Sequence, residues 1–239
     1  FMETTDGKLT DSDFQEITDH FHRYFEQQLK AAGISTVDWN TIAATEFYTD
    51  GIENPAGKAA TESNASVTKT AQQGNTLYRG ALAFAFGKAN KASAFCKSIG
   101  APAAFFNLTV DFADVLLDVD IKTQSAGFYS VPRSRTWKYN SAVKANMCVI
   151  PSDGATLTLF WNEKSQAETL MLKQDISAGV EYHTEISQDP SRMKNSLWAF
   201  SKEMNPVVIE TTRDQYKAAA KKALENYADA FVAFQKQSK

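Results

Sequence analysis

The sequence has few of the residues that mark specialised classes of protein. It contains only two cysteines, Cys96 and Cys148, among 239 residues. At most one disulfide could form, and a chain of this length can bury a sizeable core without one. We interpret both cysteines as small buried side chains, and the sequence leaves open whether they are bridged. The chain is therefore unlike the small disulfide-rich domains.

Long apolar runs and an excess of either charge are also missing. The longest apolar run is ALAFAF at residues 81–86, well short of the roughly 18 residues that span a bilayer. Lys and Arg number 25 and Asp and Glu 28, a balance that argues against nucleic-acid binding through a basic face. We expect no membrane-spanning segment and no nucleic-acid partner. The start at Phe1-Met2 indicates a trimmed N terminus, so a missing signal peptide does not indicate the cytoplasm.

Several enzyme signatures are absent. There is no G-x-S-x-G nucleophile motif and neither of the glycine-rich phosphate-binding patterns. His20 and His22 form an H-x-H pair, but within a helix two residues turn the chain by about 200°, so the rings should point to opposite sides. His183 stands alone. We expect no cofactor, no catalytic histidine and no histidine metal site.

An acidic cluster also has an ordinary interpretation. Asp111, Asp114, Asp118 and Asp120 lie within ten residues, and carboxylates are ligands for hard cations. Asp118 and Asp120, however, alternate with apolar residues, as on the solvent face of a strand. The D-x-D-x-D-G spacing of calcium loops is absent. We therefore predict no metal site.

Amphipathic helices are predicted near both ends. The first should run from about Asp13 to Ala32, with Ser12 and Gln15 as a capping box and Gly33 ending the helix. Its apolar stripe comprises Phe14, Ile17, Phe21, Phe25 and Leu29. The second should follow a Thr212–Gln215 capping box. Its stripe comprises Tyr216, Ala220, Leu224, Tyr227, Phe231 and Phe234.

The middle of the chain alternates as β-strands do. Strands are predicted at 34–39, 77–86, 106–112, 117–122, 143–149 and 157–161, with a helix ending at Gly100. Hairpins are expected between 106–112 and 117–122 and at Asp153-Gly154. The predicted fold class is α+β (mixed α/β), with one largely antiparallel or mixed sheet packed by the terminal helices. We expect a single domain, 1–239, with a long polar loop at about 49–75.

One segment combines arginines with aromatic residues. In FYSVPRSRTWKY, Arg133, Arg135 and Lys138 accompany Tyr129 and Trp137. Arginine suits carboxylate and phosphate geometry, and aromatics beside arginines favour recognition surfaces. We predict that these five residues, which lie in a loop at 124–136 or directly after it, bind a ligand or partner. The alternative is a connecting loop whose aromatics pack into the core.

The segment FHRYFEQQLKAAGISTVDWNTI resembles the anticodon-binding-like domains of the periplasm, as in the curli secretion channel subunit and the N-terminal domain of TolB. In that pattern a long helix ends at Lys-x-x-Gly, here Lys30 and Gly33. A short strand with Val37 and Asp38 and a small helix then follow. SIGAPAAFFNLTVDF is similar to the family's next strand entry, with Pro102 in place of an aspartate. The resemblance implies a non-catalytic envelope protein that assembles with others.

The functional expectation combines these points. The chain is expected to be a non-catalytic, extracytoplasmic binding or assembly protein of the cell envelope, periplasmic or secreted. Its partner would be a second copy of itself or another envelope protein. Two alternatives stay open. One is a hydrolase whose site is assembled from distant loops, and the other is a lipid or small-ligand carrier that uses the apolar face of 77–86.

Overall fold

The computed structural model describes residues 1–45, 89–125, 132–151, 156–160, 167–189, 191 and 207–237. The helices among these residues are α1 (Asp11–Ala31), α2 (Trp39–Ala43), α3 (Ala89–Ile99) and α4 (Arg213–Gln237). The strands are β1 (Met2–Thr4), β2 (Ala103–Asn107), β3 (Thr109–Asp111), β4 (Asp114–Ser125), β5 (Pro132–Lys144), β6 (Cys148–Ile150), β7 (Thr156–Phe160), β8 (Ala167–Met171), β9 (Ile176–Ser177), β10 (Glu185–Gln188) and β11 (Val207–Thr211). The α+β class is confirmed. None of the helices in this part of the chain has the length and apolar character needed to cross a membrane.

Helix α1 begins two residues earlier than predicted. Its N-cap is Thr10, whose hydroxyl accepts a hydrogen bond from the Asp13 backbone at 3.4 Å. The Asp13 carboxylate in turn accepts from the Thr10 backbone at 2.7 Å. The predicted Ser12–Gln15 cap is therefore wrong, because the same three-residue spacing occurs two positions earlier. The prediction for Gly33 is confirmed, since it follows the helix at φ +76°, where a side chain would be strained.

Helix α4 begins at the predicted cap and buries a face of small residues. The Thr212 backbone donates to the Gln215 side chain at 3.2 Å, and the Gln215 backbone donates to the Thr212 hydroxyl at 3.2 Å. Ala220 and Ala223 are almost completely buried, so neighbouring backbone can approach closely. Phe234, placed by the sequence on the apolar stripe, is 51% exposed and lies outside the core.

Aromatic rings fill the space between α1, α4 and β2. The ring of Phe25 lies 4.8 Å from Phe106 of β2 and 5.4 Å from Phe231 of α4, measured between centroids. Phe21 also contacts Phe25 and Tyr227. Such pairs add stability beyond the area they bury. The terminal helices are thus core elements that pack on each other and on the strands.

The strands form several small groups where the sequence predicted one sheet. Among the described residues the hydrogen-bonded orders are β1-β11-β10, β2-β7-β8, β3-β6-β9 and the pair β4-β5. Strand β1 is parallel to β11, and the other pairs are antiparallel. The chain leaves one group for the next at Leu108, between β2 and β3, and at residues 145–147, between β5 and β6. Because these residues are not part of a strand, the hydrogen-bonded pairing is interrupted there, and the strands on either side belong to different groups.

Both predicted hairpins are wrong. The segment 106–112 is split into β2 and β3, and neither pairs with β4. Strands β6 and β7, on either side of Asp153-Gly154, likewise pair with other strands. Alternation identifies a strand but not its neighbour, because partner choice depends on contacts distant in sequence.

The remaining sequence predictions have mixed outcomes. Residues 34–38 form no strand, contrary to the prediction, and α2 starts at Trp39 after the N-cap Asp38. Helix α3 ends before Gly100, as predicted. The polar loop at 49–75 and the strand at 77–86 lie outside the described residues. Cys96 and Cys148 are buried and form no disulfide among the described residues, which confirms their interpretation as small core side chains.

The hydrophobic core lies between α4 and the strands around β6. Met147 and Val149 are fully buried there, and Tyr182 and Ile209 are 1% exposed. The cluster is completed by Ile17, Ala145, Ala178, Ala219, Ala220, Ala223, Leu224 and Tyr227. Residues from both ends of the sequence therefore meet in one core.

Candidate functional site

The predicted binding residues lie on a strand and not in a loop. Arg133, Arg135, Trp137 and Lys138 belong to β5, which begins at Pro132, so the loop predicted over 124–136 is too long at both ends. Proline is tolerated at the first position of a strand, and the alternation that follows favours β structure. Tyr129 lies outside the described residues.

Strands β4 and β5 form a long two-stranded ribbon, here called the ribbon. Its register runs from Asp114 opposite Lys144 to Ser125 opposite Pro132, a length of about 40 Å at roughly 3.3 Å per residue. The register shifts between Gln124 and Ser125, which leaves Arg133 as the extra residue on β5. No described strand pairs with the outer edge of either strand.

The register divides the ribbon into an apolar and a polar face. Residues directly opposite each other in an antiparallel pair share a face. One face has Val119 opposite Tyr139, Ile121 opposite Trp137, and Thr123 opposite Arg135. It also includes Val115, Leu117, Ser141 and Val143. The alternation that suggested two amphipathic strands thus produces one amphipathic ribbon.

The polar face carries opposite charges on its two strands. Asp114 is opposite Lys144, and Asp120 is opposite Lys138. Asp118 is opposite Asn140 and Lys122 opposite Thr136. The predicted solvent-face positions Asp118 and Asp120 thus share this face with Lys138. Opposite charges in direct cross-strand pairs stabilise a given register.

A chain of amide and hydroxyl groups holds the base of the ribbon to the core. The Asn146 amide donates to the Asp114 carboxylate at 2.7 Å, and the Ser177 hydroxyl donates to Asn146 Oδ1 at 2.5 Å. Asn226 of α4 donates to the Ser177 carbonyl at 2.9 Å. The ribbon therefore has a fixed connection to α4. The sequence did not reveal this chain, because its members lie 31 to 49 residues apart.

An acidic and thiol cluster lies at the same base. The ligand-type atoms of Asp114, Cys148 and Asp175 all lie within 4.8 Å of one another. Burial, together with the charges of Asp114, Asp175 and Asp111, raises the pKa of Cys148 to about 11. The thiol is consequently protonated at neutral pH and is neither a nucleophile nor a thiolate ligand in this state.

Helices α1 and α4 run parallel and are joined by charged groups at their N-terminal ends. Asp13 is 4% exposed, and its two carboxylate oxygens accept from Arg213 Nη2 at 2.9 and 2.7 Å. Burial by itself would raise the pKa of Asp13, but hydrogen bonds from Thr10 and the Arg213 guanidinium lower it to about 2. This carboxylate remains charged at neutral pH, where it holds the two helix starts together.

Further pairs follow along the same helix interface. Lys217 and Lys221 contact the Glu16 carboxylate at 3.0 and 2.5 Å and lower its pKa. Tyr24 donates to Asp229 at 3.0 Å. The residue numbers of the contacting pairs increase in the same direction along both helices, which shows that the helices run parallel. These charged groups serve packing between elements.

The histidines behave as the helix geometry predicts. His20 contacts Glu225 of α4 at 2.8 Å, whereas His22 lies 3.7 Å from Glu26 on its own helix. The two rings thus have different neighbours and no common ligand position. His183 lies in a segment without strand structure, between β9 and β10. Its Nδ1 atom is buried without a hydrogen-bond partner among the described residues.

Buried tyrosines add no nucleophile to the core. Burial raises the pKa of Tyr216 and Tyr227 to about 12 each. Tyr182 is shifted in the same direction, first by burial and then by Tyr216 and Asp111. Its hydroxyl donates to the Phe112 carbonyl. All three hydroxyls are protonated at neutral pH, and their rings serve the core.

A shallow depression lies at the C-terminal ends of α1 and α4. It is lined by Ala32, Ile34, Val232, Gln235 and Lys236 and has room for about one water-sized molecule, roughly 10 Å³. It is far too small for a lipid or a metabolite, which need several hundred Å³. The apolar face of 77–86, on which the carrier hypothesis depended, lies outside the described residues.

Two features of the site were thus recognisable from the sequence, namely the basic and aromatic residues of β5 and the amphipathic pattern of β4. The base of the ribbon and the pairing of the two strands were not recognisable from the sequence.

Comparison of the chain with protein-family models, curated proteins and solved structures finds no match.

Proposed function

We propose that this chain is a non-catalytic binding or assembly domain of the cell envelope, which contacts its partner through the ribbon. One observation carries the proposal. The ribbon bears Arg133, Arg135, Trp137 and Lys138, while no described strand pairs with its outer edges. An unpaired edge is a template for another chain. Arginine and tryptophan are the residues most enriched where binding energy is concentrated.

The state of the other titratable groups is consistent with a non-catalytic role. Asp13 and Glu16 are engaged in pairs between α1 and α4. The Cys148 thiol is held protonated by burial and neighbouring carboxylates. In the described part of the chain, these shifted pKa values therefore follow from packing and ion pairing. Perturbed pKa values arise in structural networks as well as in active sites.

The envelope location rests on the resemblance to periplasmic anticodon-binding-like domains. Helix α1, Gly33 and the short helix α2 follow one another in the order that this resemblance implies. The short strand expected at Val37 and Asp38 is absent.

Site-specific photocrosslinking in the source cells tests both parts. A photoreactive amino acid replaces Ser134 or Trp137 on β5, and Ala218, an exposed position on α4, serves as the control. The proposal predicts adducts with an envelope protein or a second copy from the β5 positions but not from Ala218. Adducts with cytoplasmic proteins alone would disprove the location. The absence of β5-specific adducts would disprove the binding role.

A paired substitution checks that the arginines matter to this binding. Arg133→Ala with Arg135→Ala should reduce the adduct yield from position 137 severalfold. If the arginines act in binding and not in the fold, the melting temperature should change by no more than about 2 °C. An unchanged adduct yield would show that the partner is held elsewhere. A large fall in melting temperature would show that the arginines stabilise the fold.

A further inference from the structure

The partner's chemistry is indicated by the charge distribution of the ribbon. Strand β4 carries three aspartates and one lysine, whereas β5 carries Arg133, Arg135, Lys138 and Lys144 and no acidic residue. Inside the fold, the inner edge of β5 already pairs with an acidic strand, because Asp120 is opposite Lys138 and Asp114 opposite Lys144. Strand β5 is therefore able to pair with an extended acidic segment along one edge.

Two cations of β5 have no acidic residue opposite them. Arg135 is opposite Thr123, and Arg133 lies at the register shift. From Ile121 to Lys138 the sequence contains four cations and no Asp or Glu, although the whole chain has a net charge of −3. The end of the ribbon where Ser125 is opposite Pro132 therefore carries a local excess of positive charge. Arginine matches the planar geometry of carboxylates particularly well.

We infer that the outer edge of β5 binds an extended acidic polypeptide segment of another protein, which joins the ribbon as a third strand. The inference rests on the proposed function and adds the class of partner. Backbone hydrogen bonds to the edge would supply affinity, as in other cases of strand addition. Carboxylates opposite Arg133, Arg135 and Lys138 would select an acidic segment and set its register.

The same charges disfavour a second copy in this position. If β4 of a second copy were added in the register that β4 has within the ribbon, its Lys122 would lie opposite Thr136, on the same face as Lys138 two positions further along β5. Lys122 and Lys138 would then be diagonal neighbours of like charge, and long side chains reach each other at that spacing. An acidic segment without that lysine avoids the conflict. Of the two partners that the proposed function allows, we therefore favour a different envelope protein over a second copy.

A synthetic peptide serves as the probe. It has the sequence of residues 114–125 with Lys122→Glu, which gives four acidic residues and no basic one. Its binding to the whole chain is measured by fluorescence anisotropy. A second peptide that also carries Val119→Pro keeps the charge but removes one backbone donor. Anionic phosphatidylglycerol vesicles provide the lipid alternative.

The protein variants are matched in charge. Arg133→Gln with Arg135→Gln removes two cations from β5. Lys30→Gln with Lys236→Gln removes two from exposed positions at the ends of α1 and α4. We expect the first variant to lose at least about tenfold in affinity for the acidic peptide, and the second less than about twofold. The proline peptide should also bind at least about tenfold more weakly.

Several results would overturn the inference. These are no peptide binding, equal binding of the proline peptide, equal loss in both variants, or binding to the vesicles in preference to the peptide. The melting temperature of each variant shows whether it is folded. If β5-specific crosslinks form in cells while the acidic peptide fails to bind, the proposed function stands and only this class of partner is rejected.

Discussion

The α1–α4 helix pair and the ribbon differ in how far apart in sequence their contacting residues lie. His20 meets Glu225, 205 positions away, and Asp13 meets Arg213, 200 positions away. In the ribbon, Ser125 is opposite Pro132 only seven positions on, and Asp114 is opposite Lys144 thirty positions on. The helix pair therefore closes the chain on itself, while the ribbon forms by local pairing.

The two regions also use their polar residues differently. At the helix interface the partly buried Lys217 contacts both the almost wholly buried Asp13 and the exposed Glu16. On the ribbon, Arg133 and Arg135 have no opposite charge in the register. The comparison teaches that stability depends on the region where the ends of the sequence meet. Binding is expected where the charges are left unmatched.

The largest effect is expected in the helix pair. Phe25→Ala removes a ring that contacts Phe21, Phe106 and Phe231 and is 8% exposed. The loss should lower the free energy of unfolding by about 3–5 kcal/mol, measured by urea denaturation. Phe234→Ala, at an exposed position of α4, is the control and should cost much less. Similar losses in the two variants would contradict the described core.

A smaller effect should follow from neutralising the carboxylate that joins the helix starts. Asp13→Asn keeps the shape of the side chain but removes the charge paired with Arg213, and should cost about 1–3 kcal/mol. Asp214→Asn provides the comparison, because its carboxylate is 90% exposed and such surface pairs contribute little. Denaturation curves of the two variants that coincide would refute the assigned role of Asp13.

The same carboxylate makes stability dependent on pH at the acid end. The folded pKa of Asp13 is about 2 against an ordinary value of 3.8, so its contribution is complete above about pH 4. As pH falls towards 2, the unfolded chain binds a proton that the folded chain does not, and the contribution is lost. Glu16 adds to the loss in the same direction. The difference in stability between the native chain and Asp13→Asn should therefore shrink between pH 4 and pH 2.

The smallest effect should be confined to the ribbon. Asn146→Ala removes the amide that links Asp114 to Ser177, and should make local opening of the ribbon easier by about 1–2 kcal/mol. Hydrogen exchange should then accelerate in β4 and β5 more than in the middle of α4. Asn226→Ala, which removes the contact of α4 with Ser177, should not show this selectivity. Uniform acceleration in both variants would mean that the two regions open together.

The helices were predictable because their signals are local. The stripe of Phe14, Ile17, Phe21 and Phe25 and the Thr212–Gln215 cap are visible within one or two turns. The start of α1 was misplaced because TDSDFQ contains two sites with capping spacing. The helix is capped by Thr10, and Asp13, the other residue of this capping box, also contacts Arg213. Arg213 lies 200 positions away in the sequence, so a search for local capping patterns could not have found this contact.

The strands were predictable as strands but not as sheets. Alternation correctly marked segments that overlap β4 and β7, yet it assigned them the wrong neighbours. The candidate site shows the same limit. Arg133, Arg135, Trp137 and Lys138 were recognised by residue type, while the ribbon face that each occupies follows only from the pairing with β4. The cluster of Asp114, Cys148 and Asp175 depends on three separate segments coming together.

The parallel pairing of β1 with β11 has a consequence for biosynthesis. Met2–Thr4 pair with Ile209–Thr211, and the Phe1 nitrogen donates to the Val207 carbonyl at 2.7 Å. A ribosome makes these residues in order, so the first segment waits for more than 200 further residues before its neighbours exist. During that interval the apolar stripe of α1 lacks the part of its native surface that α4 supplies, and transiently exposed apolar surface of this kind favours aggregation. Completion of the fold is thus coupled to synthesis of the segment that contains β11 and α4.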